Sequence, residues 1–113
     1  MLLESFSKKN FLVIGDIMLD TYVFGTINRI SPEAPVPVVE TSNIQNKLGG
    51  AANVALNLTS LGASVILAGV LGNDDEGKQI EDILNSNNIE LIKVISATNR
   101  PSTQKLRIIA DGH

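Results

Sequence analysis

The sequence contains no cysteine and no tryptophan, and its one histidine is the last residue, His113. The lack of cysteine excludes disulfides, cysteine-ligated zinc and a thiol nucleophile. One tyrosine and three phenylalanines offer few rings for base stacking, and the net charge of −3 has the wrong sign for a nucleic-acid-binding surface. No apolar run is long enough to span a membrane, and the N-terminus lacks a signal-peptide pattern. We therefore expect a cytoplasmic protein without nucleic-acid or membrane partners.

What the sequence does contain is 113 residues of ordinary globular composition, 43% hydrophobic and 19% charged. That length suffices for one small domain. Its most informative part is residues 48–72. Apolar residues recur there at helical spacing over residues 51–61, and Gly62 is suited to end the helix. The β-rich run 65–71 is typical of a strand buried in a parallel sheet.

A pair of glycines, Gly49 and Gly50, comes directly before the predicted helix. Glycine lets a ligand approach the backbone closely, and the first turn of a helix carries unpaired N–H donors at the positive end of its dipole. Asn53, one turn into the helix, can direct its amide to the same place. These three residues are candidates for ligand binding.

Two aspartates follow a predicted buried first strand, residues 11–14. Asp16 comes directly after Gly15, and Asp20 lies four residues further on. Both are candidate binding residues, because open α/β sheets bind ligands at the carboxyl ends of their strands. The alternative is that Asp16 caps a turn and Asp20 is solvated.

Residues 22–39 interrupt the succession of strands and helices. Residues 22–24 are short and β-prone, and residues 28–31 are turn-like. Three prolines exclude a helix from the middle of the segment and restrict any strand there to the edge of a sheet. They are Pro32, Pro35 and Pro37. Such an arm would serve as a lid or as a dimer contact; the alternative is an ordinary exposed loop.

Residues 72–79 nearly match the phosphate-binding loop G-x-x-x-x-G-K-[ST]. Gln79 stands where that motif has a magnesium-binding hydroxyl, and three consecutive acidic residues would repel a triphosphate. The segment is better interpreted as a helix start with Asp74 or Asp75 as the N-cap. A further strand is predicted over residues 89–95.

The stretch 103–110 alternates and predicts a strand with one solvated face. Lys105 and Arg107 lie on that face, where they either bind an anionic ligand or are solvated. The order strand, helix, strand, helix, strand predicts an α/β fold with a parallel sheet and right-handed crossovers. No G-x-G-x-x-G follows the first strand, so a dinucleotide fingerprint is absent.

Three elements, in this order, resemble the ribokinase (PfkB) family of sugar kinases. Residues 48–72 resemble the family's first signature, and residues 15–20 resemble its opening strand and following aspartate. Residues 72–77 resemble its Gly-x-Asp-x-x-Gly element. The resemblance covers residues 10–111 and implies a ribokinase-like fold: a Rossmann-like parallel sheet with flanking helices and a β lid.

On this resemblance, residues 1–113 are the N-terminal part of one kinase domain, with lid segments at about 22–39 and 103–110. Residues 29–38 (RISPEAPVPV) are similar to the D-glycero-β-D-manno-heptose-7-phosphate kinases of that family. These enzymes serve lipopolysaccharide core synthesis and often carry a fused adenylyltransferase domain. The implied reaction of the parent protein is phosphorylation of the anomeric hydroxyl of heptose 7-phosphate, with ATP and Mg²⁺.

The resemblance also implies roles for single residues. A carboxylate would accept hydrogen bonds from sugar hydroxyls, a glycine pair would present its backbone, and an amide would complete the polar site. The sugar-binding residues implied in this way are Asp20, Gly49, Gly50 and Asn53. The candidates for contact with the substrate's own phosphate are Arg29, Lys105 and Arg107.

The family's catalytic base and anion hole lie in a Gly-Ala-Gly-Asp motif that these 113 residues lack, as they lack its magnesium-linked and adenine-binding segments. We therefore expect the span to hold part of a sugar site, to bind neither ATP nor Mg²⁺ alone and to be inactive by itself. A lid would exclude water from phosphoryl transfer and make a homodimer. Two alternatives remain: another sugar or nucleoside kinase of the family, or a non-catalytic binding or assembly module.

Overall fold

The computed structural model describes residues 3–95 and 99–110, so that His113 lies outside the described residues. The chain divides into two compact units. The first contains the residues up to Leu19 together with Leu48–Gln104, and the second contains Asp20–Lys47 and the residues from Lys105 onward. In chain order the elements are a 3-10 helix Leu3–Lys8, β1 Asn10–Ile14, β2 Ile17–Ile30, β3 Pro37–Gly50, α1 Ala51–Ser60, β4 Ser64–Val70, α2 Asp75–Ser86, β5 Glu90–Val94 and β6 Thr103–Ala110.

The first unit contains a parallel sheet with the strand order β1-β4-β5. In its register Ile14 lies opposite Ala68, and Ala68 lies opposite Ile92. Parallel neighbours need a long crossover, which α2 supplies between β4 and β5, and α1 is part of the connection from β1 to β4. The predicted parallel α/β sheet is confirmed.

Both helices cover the same face of this sheet. Ala52 and Ala55 of α1 are fully buried, as are Ile80 and Leu84 of α2, and all four belong to one cluster with Leu67 of the central strand. The two alanines keep α1 close to the sheet, whereas the larger side chains of α2 fill the space beside them. This cluster is the core of the first unit.

The end of α1 and the start of α2 lie where the sequence predicts them. After α1, Gly62 has a φ of 99°, a conformation that glycine adopts without strain. Asp74 caps α2, because its Oδ1 accepts a hydrogen bond from Gly77 N at 2.8 Å. Within the described residues, neither helix has the length and apolar character needed to cross a membrane.

The opposite face of the sheet is open to solvent in the part of the chain that the structure describes. Leu12, Ile92 and Val94 are about half exposed, and Ile14 is 74% exposed. Only alternate residues of β1, such as Val13, pack against the core. The prediction of a buried first strand is therefore wrong for one of its faces, because right-handed crossovers place both helices on the other.

In the second unit, β2 lies between β3 and β6. The strands β2 and β3 form an antiparallel hairpin, because successively earlier residues of β2 contact successively later residues of β3. The contacting pairs are Asn28 with Glu40, Phe24 with Ser42 and Thr21 with Asn46. Between β2 and β6, later residues of one strand contact later residues of the other, as in a parallel pair. These contacts join Asp20 with Lys105 and Tyr22 with Arg107.

This hairpin corrects the prediction for residues 22–39. The strand β2 continues through residues that the sequence indicates as a turn, up to Ile30, and the turn lies at 31–36. The sequence pattern also misses β3, in which residues 40–47 are exposed on both faces and show no apolar alternation. Pro37 is the first residue of that strand, a position where a proline is tolerated. The bounds of β6 are as predicted, but both of its faces are largely exposed.

Candidate functional site

The turn after β1 holds the start of α1 in place. Ala51 N donates a hydrogen bond to Asp16 O at 2.7 Å, which satisfies one of the N–H groups that a helix start leaves unpaired. Gly50 has a φ of 59°, and a Cβ at this position would collide with the same carbonyl oxygen. The backbone therefore requires glycine at position 50 whether or not a ligand binds there.

The two other candidates at this helix start differ in exposure. Gly49 is buried, whereas Asn53 is exposed in the first turn of α1. Within residues 3–95 and 99–110, the side-chain amide of Asn53 has no hydrogen-bond partner. This amide is therefore free to bind a polar ligand.

A cleft of about 260 Å³ opens at the carboxyl ends of the parallel strands. Its walls are mostly apolar, and its polar side chains are those of Asp16, Arg100 and Thr103. Gly69 fits tightly here, because a Cβ would lie 2.6 Å from the Ile17 side chain. Open α/β sheets bind ligands at this end. The sequence analysis does not single out Arg100, because an isolated arginine in a loop carries no periodic or motif signal.

Asp20 has a buried carboxylate oxygen that lacks a hydrogen bond from the described residues. No group within residues 3–95 and 99–110 donates one to its Oδ1, although Lys105 Nζ forms an ion pair with this oxygen at 3.4 Å. Charge-assisted hydrogen bonds are usually shorter, at about 2.7–2.9 Å. Because buried carboxylate oxygens nearly always accept hydrogen bonds, this oxygen is a candidate acceptor for a ligand.

Tyr22, two residues further along β2, lies beside two cations. Lys47 Nζ is 5.4 Å and Arg107 Cζ is 5.9 Å from the centroid of its ring, within the range of cation–π interactions. The ring also stacks on Phe24, with 6.5 Å between the ring centroids. Together with Lys105, three basic side chains surround one short stretch of β2. Lys47 is a residue that the sequence analysis misses.

The Gly-x-Asp-x-x-Gly element at the start of α2 forms hydrogen bonds with the chain just before β6. Asp74 Oδ2 accepts a hydrogen bond from Ser102 N at 2.7 Å, and Ser102 Oγ accepts one from Gly72 N at 2.9 Å. A Cβ on Gly77 would lie 2.5 Å from Gly72 O. Since the N–H groups of both glycines already have partners, this loop does not offer them to a phosphate. The contacts support its interpretation as a helix start.

The same contacts favour the ionised form of Asp74. Hydrogen bonding by the Ser102 hydroxyl, and then by Ser102 N, lowers the pKa of Asp74 from its usual value; partial burial opposes this, and Gly77 N lowers it further. The other partner of the Ser102 hydroxyl proton, Gly72 O, is 3.5 Å away, so the carboxylate competes for that proton.

The four predicted sugar-binding residues belong to different parts of the chain. Asp20 begins the second unit, whereas the first unit contains Gly49, Gly50 and Asn53. That all four bind one ligand stays a prediction. Each nevertheless has a defined local environment: a buried acceptor, a buried glycine, a glycine with positive φ and an exposed amide.

The sequence matches one protein family over nearly its whole length. Residues 8–113 match the pfkB family of carbohydrate kinases. The parallel sheet with its helices and the second unit of strands are those of a ribokinase-like α/β fold. The chain belongs to the pfkB carbohydrate kinase family, which confirms the resemblance found in the sequence.

Curated relatives are similar to most of this chain. The Bifunctional protein HldE of Actinobacillus pleuropneumoniae serotype 5b is 49% identical over 105 residues, which are 93% of this chain and 22% of the relative. The D-beta-D-heptose 7-phosphate kinase of Bordetella bronchiseptica is 46% identical over 106 residues, which are 94% of this chain and 34% of the relative. The chain thus spans about a fifth to a third of these relatives.

Solved structures of sugar kinases have the same fold. A carbohydrate kinase from Agrobacterium tumefaciens superimposes with a TM-score of 0.73 at 22% identity, over 90% of this chain and 32% of that one. A fructokinase from Xylella fastidiosa with bound ATP superimposes with a TM-score of 0.65 at 21% identity, over 89% of this chain and 30% of that one. The predicted ribokinase-like fold is confirmed, and this chain corresponds to about a third of it.

Proposed function

We propose that this chain supplies sugar-binding residues to an ATP-dependent kinase that phosphorylates the anomeric hydroxyl of heptose 7-phosphate. Family membership supports a carbohydrate kinase. The name of the 46% identical relative supports heptose 7-phosphate as the sugar. The product would be an intermediate in the synthesis of ADP-heptose for the lipopolysaccharide core.

The observation that carries the proposal is the buried Oδ1 of Asp20. A sugar hydroxyl at this oxygen would donate the hydrogen bond that the described residues do not supply, and a hydrogen bond to a carboxylate is among the stronger kinds. The backbone of Gly49 and Gly50 and the amide of Asn53 are the proposed further contacts. Polar groups of this kind, placed around several hydroxyls, give a sugar its orientation.

ATP is the proposed phosphoryl donor, in keeping with the family and with the ATP-bound fructokinase of the same fold. Mg²⁺ is proposed to accompany ATP in the parent protein; the described residues contain no group of three or more histidine, aspartate or glutamate side chains that could hold a metal ion. A kinase that consumes ATP and sugar phosphate would act in the cytoplasm.

A homodimer is the proposed assembly, through the lid formed by the second unit. In that unit β3 and β6 are the outer strands, and outer strands have backbone groups available for pairing with another chain. Pairing of this kind would remove the exposed strand edges from water.

The decisive experiment is isothermal titration of the 113-residue chain with D-glycero-β-D-manno-heptose 7-phosphate. Asp20→Asn should weaken binding at least about tenfold, because a charge-assisted hydrogen bond contributes about 1.5–3 kcal/mol. Asp82→Asn makes the same chemical change at an exposed position of α2 and should leave the affinity unchanged. Circular dichroism of each variant controls for folding. Equal affinities for the two variants would contradict the proposed role of Asp20.

A further inference from the structure

We propose that Lys47 and Arg107 together bind the phosphate group of the sugar phosphate, with the Tyr22 ring between their strands holding both side chains in place. This inference rests on the proposed function and identifies the part of the site that would distinguish a phosphorylated sugar from a free one. It selects Arg107 from the three basic residues that the family resemblance leaves open, adds Lys47, and excludes Arg29.

The surroundings of Tyr22 favour an anion. Lys47 projects from β3 and Arg107 from β6, and both reach the ring of the central strand, at 5.4 Å and 5.9 Å from its centroid. Neither has a carboxylate partner within residues 3–95 and 99–110. A phosphate dianion beside this ring would accept charge-assisted hydrogen bonds from the two cationic side chains.

The spacing along β2 fits the length of the substrate. Asp20 and Tyr22 are two residues apart on one strand, so their side chains lie on the same face about 7 Å apart. In a heptose 7-phosphate, six bonds join the anomeric carbon to the phosphorus by the shortest route. Two residues of extended backbone contain the same number of bonds and also span about 7 Å. A sugar ring held by Asp20 would therefore bring its phosphate to the cations beside Tyr22.

The remaining two basic residues fit this role less well. Arg29 lies nine residues beyond Asp20 on β2, about 30 Å along an extended strand, and strand alternation places it on the other face. Lys105 is on the correct face, but its Nζ already forms an ion pair with Asp20 at 3.4 Å. Among the described residues, the pair beside Tyr22 combines the right face and the right distance with charges that have no acidic partner there.

The experiment compares two ligands, heptose 7-phosphate and the same heptose without its phosphate, by NMR titration of the 113-residue chain. The ratio of the two affinities isolates the contribution of the phosphate. Lys47→Gln with Arg107→Gln should lower this ratio at least about tenfold, because two charge-assisted contacts are lost, and should leave the affinity for free heptose unchanged. Arg29→Gln, which removes one positive charge from the other face of β2, should keep the wild-type ratio. Higher ionic strength should reduce the ratio of the wild type more than that of the double variant.

The outcomes separate this inference from the proposed function. If heptose binds and Asp20→Asn weakens it, but the Lys47/Arg107 double variant keeps the wild-type ratio, the phosphate assignment is wrong and the sugar site stands. The assignment is equally wrong if Arg29→Gln lowers the ratio as much as the double variant does. If the wild-type chain binds neither ligand, the proposed function fails, and the phosphate assignment fails with it.

Discussion

The two carboxylate oxygens of Asp74 accept hydrogen bonds from different groups, Gly77 N and Ser102 N. Two substitutions can therefore remove one or both of these acceptors. Asp74→Asn keeps an oxygen for Gly77 N, because asparagine caps helices about as well as aspartate does. It replaces the oxygen that accepts from Ser102 N, at 2.7 Å, with an amide group that can only donate. Asp74→Ala removes both acceptors.

The expected losses follow from these contacts. A missing N-cap costs about 1 kcal/mol, and an N–H group left without an acceptor costs about 1–3 kcal/mol. We therefore expect Asp74→Asn to lower the free energy of unfolding by about 1–3 kcal/mol and Asp74→Ala to lower it by about 2–4 kcal/mol. Both losses are large against a typical domain stability of about 5–15 kcal/mol.

The contribution of Asp74 to the free energy of unfolding should depend on pH. Hydrogen bonds, first those with Ser102, lower the pKa of Asp74 in the folded state, whereas the unfolded value is about 3.9. A group whose pKa is lowered on folding stabilises the fold above the unfolded pKa, and this contribution disappears as the pH falls through the folded pKa. The wild type should therefore lose stability below about pH 4. Asp74→Asn has no such proton to gain and should lose less.

Urea unfolding followed by far-ultraviolet circular dichroism, at pH 7 and through the acidic range, measures both effects. Asp82→Asn is the control, because it removes an exposed carboxylate from the same helix. The reasoning is refuted if Asp74→Asn unfolds at the same urea concentration as Asp82→Asn. It is also refuted if the stability of Asp74→Asn falls with pH as steeply as that of the wild type.

Two glycine substitutions test neighbouring parts of the first unit. Gly77→Ala would normally stabilise a helix by up to about 1 kcal/mol, but its Cβ would lie 2.5 Å from Gly72 O, so we expect a net loss of at least about 1 kcal/mol in urea unfolding. A gain in stability would contradict the packing described here. Gly50→Ala has to adopt a φ of 59° against Asp16 O, and we expect it to lower the free energy of unfolding by about 1–3 kcal/mol. A thermal unfolding curve identical to that of the wild type would show that this backbone can rearrange freely.

The first unit was predictable because its signals are local. Asp74 lies at the N-cap of α2, and Ile80 and Leu84 fall on its buried face, as helical periodicity requires. The parallel sheet follows from the alternation of strands and helices. What periodicity does not reveal is which face of a strand the rest of the chain covers, and so the exposure of Ile14 was not foreseen.

The hairpin of the second unit was harder to predict because its stability depends on pairing between distant residues. Residues 40–47 have no apolar alternation, since neither face of β3 is buried there. Their strand conformation is supported by partners on β2, as in the hydrogen bond from Thr21 Oγ1 to Asn46 Oδ1 at 2.7 Å. Such contacts leave no pattern within either segment. Prolines near the turn further suggested a loop.

Some residues of the candidate site were likewise predictable from the sequence, and others were not. The four candidate sugar-binding residues could be named in advance because they match family elements. Asp20 matches the element at residues 15–20, and Gly49, Gly50 and Asn53 match the signature at residues 48–72. Lys47 could not be named in advance, because a single lysine in a polar stretch carries no signal until strand pairing places it beside Tyr22. Sequence reasoning can propose binding residues whose signal is local, whereas the fold is needed to propose residues that lie beside neighbours on other strands.

In the part of the chain that the structure describes, one face of the parallel sheet exposes aliphatic side chains to solvent. Ile14 and Ile92 are aligned through Ala68 in the register, so the exposed aliphatic side chains form a continuous surface across three strands. Two copies that bring these surfaces together would release ordered water and gain free energy from the contact. Association of folded copies then draws the folding equilibrium forward by mass action. If folded copies associate in this way, the stability of the isolated chain depends on its concentration as well as on its sequence.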